Sequence, residues 1–329
     1  MKTCTLGIDI SKKSFDVALL SDDKWACKSY KNNQVGYNAL MLWLTNRNAK
    51  NAHICLEATG VYGDGLALAL HQEKYNVSVV NPACVKGFAQ SELCRTKSDK
   101  ADAKLIARYA MAMRPSFFKP EDEHVLLLRQ WTRRLEGLTG MLGQEKNRLE
   151  VSCSEVAETI LVGIGSLEVQ IAVVKEKIKK LIDSNNELKK KSDLLQTIPG
   201  IGETTIAQLL AYIGSPERFE SAKQMAAFVG LNPKQRQSGT SLRGRTRLSK
   251  MGNSHIRKAL YMPALTAIRY NPTIKIFSER LEKSGKVKMS IIGAVMRKLI
   301  HIIYGVLKTQ TSFIPLHKPK SAKKKELCA

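Results

Sequence analysis

The sequence predicts two architectures in one chain: an α/β domain over residues 1–121, then mostly helical segments to residue 329. Three observations predict it. Strand-like and helix-like pieces alternate through the first 80 residues. Apolar residues recur at helical spacing between Ile164 and Leu181, and glycine and proline punctuate apolar helical runs beyond residue 196.

Taken in order, Thr3 to Ile10 reads as a buried strand, Ser14 to Leu20 as a second and Trp25 to Tyr30 as a third. Short turns separate them, so they predict an antiparallel meander. Val35 to Leu44 follows as a helix, Ala52 to Glu57 as a strand, Asp64 to Gln72 as a helix and Asn76 to Val80 as a strand. Three strands followed by helix–strand–helix–strand is the order of an RNase H-like α/β domain. Residues 122–195 carry few turn signals. Ile164, Leu167, Ile171, Val174, Ile178 and Leu181 are spaced alternately by three and four, as in a coiled-coil seam. Gly163 and Gly165 weaken its first turn, and an ordinary antiparallel helical pair is the alternative. Residues 196–329 form a third, mostly α-helical region.

Composition narrows the function classes. Hydrophobic residues make up 43% of the chain, enough for packed cores. Residues Met1 to Ile10 do not read as a signal peptide, and the most apolar stretch, Ile291 to Leu307, is broken by Arg297, Lys298 and His301. A membrane partner is therefore not expected. Seven cysteines without a Cys-x-x-Cys pair argue against a disulfide framework or a zinc finger, so a cytoplasmic, nucleoid-associated location is expected. The formal net charge is +24, of which +18 falls in residues 196–329, +7 in residues 1–120 and −1 in residues 121–195. An excess gathered in one segment is the footprint of a polyanion such as DNA or RNA. The run Lys323, Lys324, Lys325 reads as a solubilising tail, and it leaves most of that excess unexplained.

Four carboxylates in the first domain are candidates for chemistry. Asp9 ends the first strand and Glu57 ends a later one, so both could project from one sheet edge. Asp99 and Asp102, three residues apart, share a helix face behind Ser98 as N-cap. Four converging carboxylates require neutralisation. Oxygen-only donors favour Mg²⁺ or Mn²⁺, and two such ions suit in-line displacement at phosphorus. A bland reading competes: strand-end and helix-start aspartates are common turn formers and caps. Actin-like ATPases share the Gly-Ile-Asp opening, but this chain has neither a second Asp-x-Gly-Thr loop nor a P-loop lysine motif.

Two motifs in the last region point to phosphates. Ile198-Pro199-Gly200-Ile201-Gly202 precedes an apolar helix and looks like a helix-hairpin-helix element, in which the backbone around Gly200 and Gly202 would grip a phosphate. The alternative is a tight turn between core helices. Downstream, residues 234–258 hold eight basic residues and no acid: Lys234, Arg236, Arg243, Arg245, Arg247, Lys250, Arg257 and Lys258. Gly239, Gly244 and Gly252 would let the backbone approach a ligand. A serine in such a loop is either a phosphate donor or a nucleophile, and spacing does not choose among Ser238, Ser241 and Ser249.

Several blocks now stand in one order: Gly-Ile-Asp9-Ile-Ser-Lys, Glu57-Ala-Thr-Gly-Val-Tyr, Asp99-Lys-Ala-Asp102-Ala, Ile-Pro-Gly-Ile-Gly, Phe-Val-Gly-Leu-Asn-Pro and Leu-Ser-Lys-Met-Gly-Asn-Ser-His-Ile-Arg. Together they resemble the insertion-sequence 110 family of DEDD transposases, the bridge-RNA-guided recombinases related to Piv-type invertases. The resemblance runs from about residue 5 to 310. It implies a RuvC-like N-terminal domain whose acidic tetrad falls on Asp9, Glu57, Asp99 and Asp102 and holds metal. It also implies a helical transposase domain whose nucleophilic serine falls on Ser238. Further implications are a 5′-phosphoserine intermediate, an element-encoded guide RNA, donor and target DNA as partners, and a dimer or tetramer with an active site shared between protomers. The competing functions are a RuvC-like junction nuclease, which needs no serine, and a non-enzymatic nucleic-acid scaffold.

Overall fold

The computed structural model describes residues 4–58, 62–93, 98–238 and 242–315; for residues 235–238 and 242–246 it describes the backbone. The beginning of the first expected strand at Thr3, the Thr-Gly-Val step after Ala58, the lysine tail, Gly239 and Ser241 lie outside these residues. The chain divides into two compact units, residues 1–120 and 121–329.

In the first unit a five-stranded sheet has the order β3-β2-β1-β4-β5. Its strands are β1 (Thr5–Ile10), β2 (Ser14–Ser21), β3 (Lys24–Lys31), β4 (His53–Glu57) and β5 (Asn76–Val80). The first three form the antiparallel meander expected from their short turns. β4 and β5 add in parallel beside β1, because a helix separates each from the strand before it. Helices α1 (Gln34–Thr45) and α2 (Asp64–Gln72) bury Leu40, Leu44, Leu66 and Leu70 against one sheet face with Leu6, Ile8 and Phe15. The other face is covered by α3 (Pro82–Ser91) and α4 (Asp99–Met113), with Cys55, Val80, Val85, Ile106 and Tyr109 in its core. Two buried faces explain why β1 and β4 read as near-continuous apolar runs. Among the described residues, Cys4, Cys27, Cys55, Cys84 and Cys153 are free thiols.

One contact seats α4. Gly7 of β1 lies so close beneath it that a Cβ there would stand 2.0 Å from the Ala103 carbonyl oxygen and 2.4 Å from the Ala107 nitrogen. Glycine on the strand and alanines on the helix let the two backbones touch, and α4 packs along β1, β2 and β4.

The second unit is a helical assembly around α8 (Glu203–Ile213), which is buried from Thr205 to Ile213 apart from Gln208. The long helices α5 (Glu123–Val151) and α6 (Ser154–Ser184) pack on each other across a two-residue link. α7 (Asn186–Gln196) follows. Leu128, Leu138, Val174, Ile178 and Leu195 belong to the same hydrophobic cluster as Ile206, Val229 and Leu299. The helices of the expected 122–195 region therefore share a core with residues 196–307 and form no separate layer. The seam residues Ile164, Val174 and Ile178 are buried, with Leu167, Ile171 and Leu181 half-buried beside them. Around that seam α6 is apolar on further sides: Val156, Leu161, Val162, Val169 and Val173 are exposed.

Beyond α9 (Ala222–Val229), where loops were expected, the basic stretch folds as an antiparallel hairpin of β6 (Pro233–Ser238) and β7 (Leu242–Leu248). Four helices complete the unit: α10 (Ser254–Ala259), α11 (Tyr261–Tyr270), α12 (Pro272–Lys283) and α13 (Lys288–Thr309). By length and composition α6 and α13 could each cross a membrane, contrary to the expectation from Ile291–Leu307 alone. α13 satisfies that test as a core helix, with half of its most apolar window buried in the protein.

The seat at Gly7 gives a direct expectation. Gly7→Ala should overpack the strand–helix contact and cost about 1–3 kcal/mol or more, since backbone rather than a side-chain tip must yield. Chemical denaturation followed by a probe in the first unit, set against one in the second, checks that the loss is confined to residues 1–120.

Candidate functional site

Register brings the first-unit acids together. Asp9 pairs with Asp16 across β1–β2, and Gly7 pairs with Cys55 on β4, so Glu57 stands in line with Asp9. Residues two apart on a strand share a face. Asp9, Asp16 and Glu57 therefore lie on the face that carries Gly7, the face α4 covers. Ser98 caps α4 by accepting from the Ala101 amide, which places Asp99 and Asp102 in the first turn over the same sheet edge.

The electrostatics place these acids near one another. The Asp9 carboxyl is raised above its ordinary range first by burial, then by the charges of Asp102, Asp99 and Asp16, against a backbone hydrogen bond from Ile10. Glu57 is raised by burial and by Asp9 and Asp102. Asp9 thus lies within electrostatic range of Asp99 and Asp102, and Glu57 within range of Asp9 and Asp102; Asp16, which the sequence reading missed, also acts on Asp9. A cross-strand partner in an antiparallel hairpin could have revealed it: a tight turn after Ile10 sets Asp16 opposite Asp9. Carboxylate oxygens alone suit a hard divalent cation. Among the described residues, however, no three His, Cys, Asp or Glu side chains stand close enough to ligate one ion. The acids are gathered at electrostatic range and must close in further to hold a cation.

The second unit presents its candidates on the hairpin. Ser238 is the last residue of β6, next to the turn. Five strand steps separate it from Pro233 at the base, a reach of about 16 Å. Lys234 is paired with Arg247, and Gln237 with Arg243; the register shifts between Lys234 and Arg236. Arg243, Arg245 and Arg247 occupy alternate positions of β7. Ser249 lies at the opposite end, where its amide donates to the Asn232 carbonyl.

The base is clamped. The Lys250 amide donates to Gly230 and the Asn253 amide to Phe228. Gly252 has φ +143°, and a Cβ there would stand 2.3 Å from the Phe228 oxygen. Arg257 donates to the Val229 carbonyl at 3.0 Å. Lys258 reaches Glu136 of α5 at 2.9 Å, and His255, stacked on Tyr212, meets the same carboxylate at 2.8 Å. Burial works to raise Glu136, but the hydrogen bonds from Lys258 and His255 prevail and hold it below its ordinary range. Arg257 and Lys258, expected to contact nucleic acid, thus already serve to fix α10. Lys250, also expected there, is exposed with φ +55°.

The helix-hairpin-helix-like turn divides its two glycines. Gly200, φ +99°, packs on α11, where a Cβ would stand 2.9 Å from the Ala267 nitrogen; Asn271 also donates to the Pro199 carbonyl. Gly202 at the N-cap of α8 has no heavy atom within 4 Å of its Cβ position, so it alone keeps an open face.

Comparison with known proteins completes the description. A family described as "Transposase" of the DEDD, IS110 type matches residues 6–154, and the "Transposase IS116/IS110/IS902 family" matches residues 192–279. The "Pilin gene-inverting protein" of Moraxella bovis is 35% identical over 317 residues, covering 95% of this chain and 98% of its own. The chain belongs to the IS110 transposase family. The "Transposase for insertion sequence element IS1111A" of Coxiella burnetii is 26% identical, over 58% of this chain and 52% of its own. The "Insertion element IS110" 43.6 kDa protein of Streptomyces coelicolor is also 26% identical, over 47% of this chain and 39% of its own. As a member of this family the chain is a DNA transposase or recombinase, and the mixed five-stranded sheet is its RNase H-like DEDD domain.

The raised carboxyls have a thermodynamic sign. The folded state of this transposase holds protons that the unfolded state has released, so stability falls as pH rises from the unfolded carboxyl range through the raised folded values. Asp9→Asn should therefore melt at a higher temperature than the parent in EDTA at neutral pH, while gaining little from added Mg²⁺. Calorimetry of both proteins with and without Mg²⁺ checks this; equal Mg²⁺ stabilisation of parent and variant would contradict a cation site at Asp9.

Proposed function

We propose that this transposase cuts and rejoins DNA through Ser238, assisted by Mg²⁺ at Asp9, Glu57, Asp99 and Asp102, at sites chosen by an RNA encoded with it. The supporting observation is the placement of Ser238 at the turn end of a basic, root-clamped hairpin. The Ser238 hydroxyl oxygen attacks phosphorus, the bond to the 3′ oxygen breaks, and the serine proton passes to that oxygen. The product is a 5′-phosphoserine and a free 3′-hydroxyl. A 3′-hydroxyl of the exchanging strand then attacks the same phosphorus and releases serine. One ester replaces another, so the bond energy is kept without ATP. A bound divalent ion would offset charge that builds on the phosphoryl oxygens. Lys234, Arg236, Arg243, Arg245, Arg247 and Lys250 would hold phosphates without reading bases. RNA guidance rests on the resemblance of the motif blocks, and the +18 of residues 196–329 can accommodate a second polyanion.

The full-length similarity to the pilin gene-inverting proteins favours a second reading of the outcome, inversion between two sites on one DNA. The same cleavage chemistry serves both.

We further propose that the working form is a homo-oligomer. On α6, Val156, Leu161, Val162, Val169 and Val173 are exposed, and on α5 Met141 and Val151 are too. Pairing with the same two helices of a second copy would cover these side chains as a four-helix bundle.

Ser238→Ala should keep fold and DNA binding, yet give no covalent protein–DNA adduct and no recombinant product. A denaturing gel with labelled DNA, followed by peptide mapping, locates the attachment; an adduct on Ser241 or Ser249 would move the nucleophile. Asp102→Asn should slow cleavage by roughly 10²-fold or more, as loss of a charge-stabilising group does. For the oligomer, Val162→Glu with Val169→Glu should sediment as a monomer at concentrations where the parent associates.

A further inference from the structure

A cluster of unneutralised positive charge lies where α13 meets α9. Arg297, Lys298 and His301 are half-buried on α13. Tyr304, three residues on, donates to the Phe219 and Glu220 carbonyls at 3.3 and 3.2 Å. That bond pins α13 to the chain entering α9, whose N-cap is Ser221 and whose first turn carries Lys223. At the other end of the same face, a Cβ on Gly293 would stand 3.0 Å from Leu248 at the end of β7. Gly293, Arg297, His301 and Tyr304 recur at spacings of four, four and three, so one stripe runs from the root of the serine hairpin to the start of α9. Its length, eleven residues of helix, is about 16 Å.

Three features separate this stripe from an ordinary solvated helix face. Among the described residues, none of Lys223, Arg297 and Lys298 pairs with a carboxylate. Other cations of this unit do pair: Arg129 and Arg218 with Glu121, Lys258 with Glu136. The His301 Nε2 atom is buried without a hydrogen-bond partner. Burial first, then Arg297, Lys298 and Lys223, hold that imidazole below its ordinary range, so the three cations lie near it. Like charges held together without a counter-ion carry a cost that an anion removes.

We propose that Lys223, Arg297 and Lys298, gathered over His301, form a docking site for the phosphodiester backbone of a nucleic acid, continuing the track that begins at the serine hairpin. The inference rests on the nucleic-acid reading of this transposase. Arginine and lysine would neutralise phosphates. The contact is blind to sequence, so it sets register and affinity rather than target choice. DNA and RNA share this chemistry, and the experiment separates them.

The full chain is titrated with a duplex DNA and, separately, with a single-stranded RNA, each of unrelated sequence, over a range of salt. The triple variant Lys223→Gln, Arg297→Gln, Lys298→Gln should bind more weakly. Its log–log salt slope should be shallower by about 2 to 3, near 0.9 per lost contact on duplex and 0.7 on single strand. Loss in the DNA arm alone assigns the site to DNA, and in the RNA arm alone to RNA. Arg297→Lys should keep the parental slope because charge is kept. Should the triple variant fail to fold, Lys223→Gln alone, on an exposed residue, should still lower the slope by about 1. Parental slopes and affinities in both arms would overturn the docking site. A parent with no salt-dependent binding in either arm would instead overturn the nucleic-acid reading itself.

Discussion

The carboxylate site depends on the contact between Gly7 and the backbone of α4 at Ala103 and Ala107. Side chains normally hold a helix some 10 Å from a sheet. Here the missing Cβ and the short alanines bring it closer, and the first turn of α4 comes down with it. That turn carries Asp99 and Asp102 to within electrostatic range of Asp9. A larger residue at position 7 would leave every carboxylate in place along the chain and still separate them in space.

The same closeness creates a debt the protein leaves open. Asp9, Glu57 and Asp16 share one sheet face, and among the described residues no lysine or arginine is one of the groups that shift Asp9 and Glu57. The N-terminal end of α4 supplies partial positive charge, which favours acids in its first turn but does not balance them all. Folding of the first unit therefore carries repulsion that a divalent cation can relieve. Stability given up at a site is the usual signature of function rather than of packing.

Much of the first unit was legible in the sequence because its signals are local. Strands β2, β4 and β5 and helix α2 fall within a residue or so of the expected bounds, each flanked by turn residues. The placing of Asp9 and Glu57 at strand ends and of Ser98 as a cap was likewise local. What escaped was relational. Asp16 matters through its partner across the hairpin, Gly7 through a helix nearly a hundred residues away, and Gly200 through Ala267. The basic stretch read as loop because arginine and lysine carry little strand propensity; its strands are closed instead by hydrogen bonds at the root. The heptad seam was visible, but not that its helices join the core around α8.

Among the described residues, the hydrogen bonds that hold the β6–β7 hairpin to its unit lie at its root, so its length can change without breaking them. Two residues added to each strand would lengthen the arm by about 7 Å and return every side chain to its former face. One residue added to each strand would turn every side chain beyond the insertion to the opposite face. Insertions and deletions between Pro233 and Leu248 should thus be tolerated in even steps, while Gly252 and Arg257 stay fixed. The reach of the arm could then drift by quanta over a family's history, with the clamp below it unchanged.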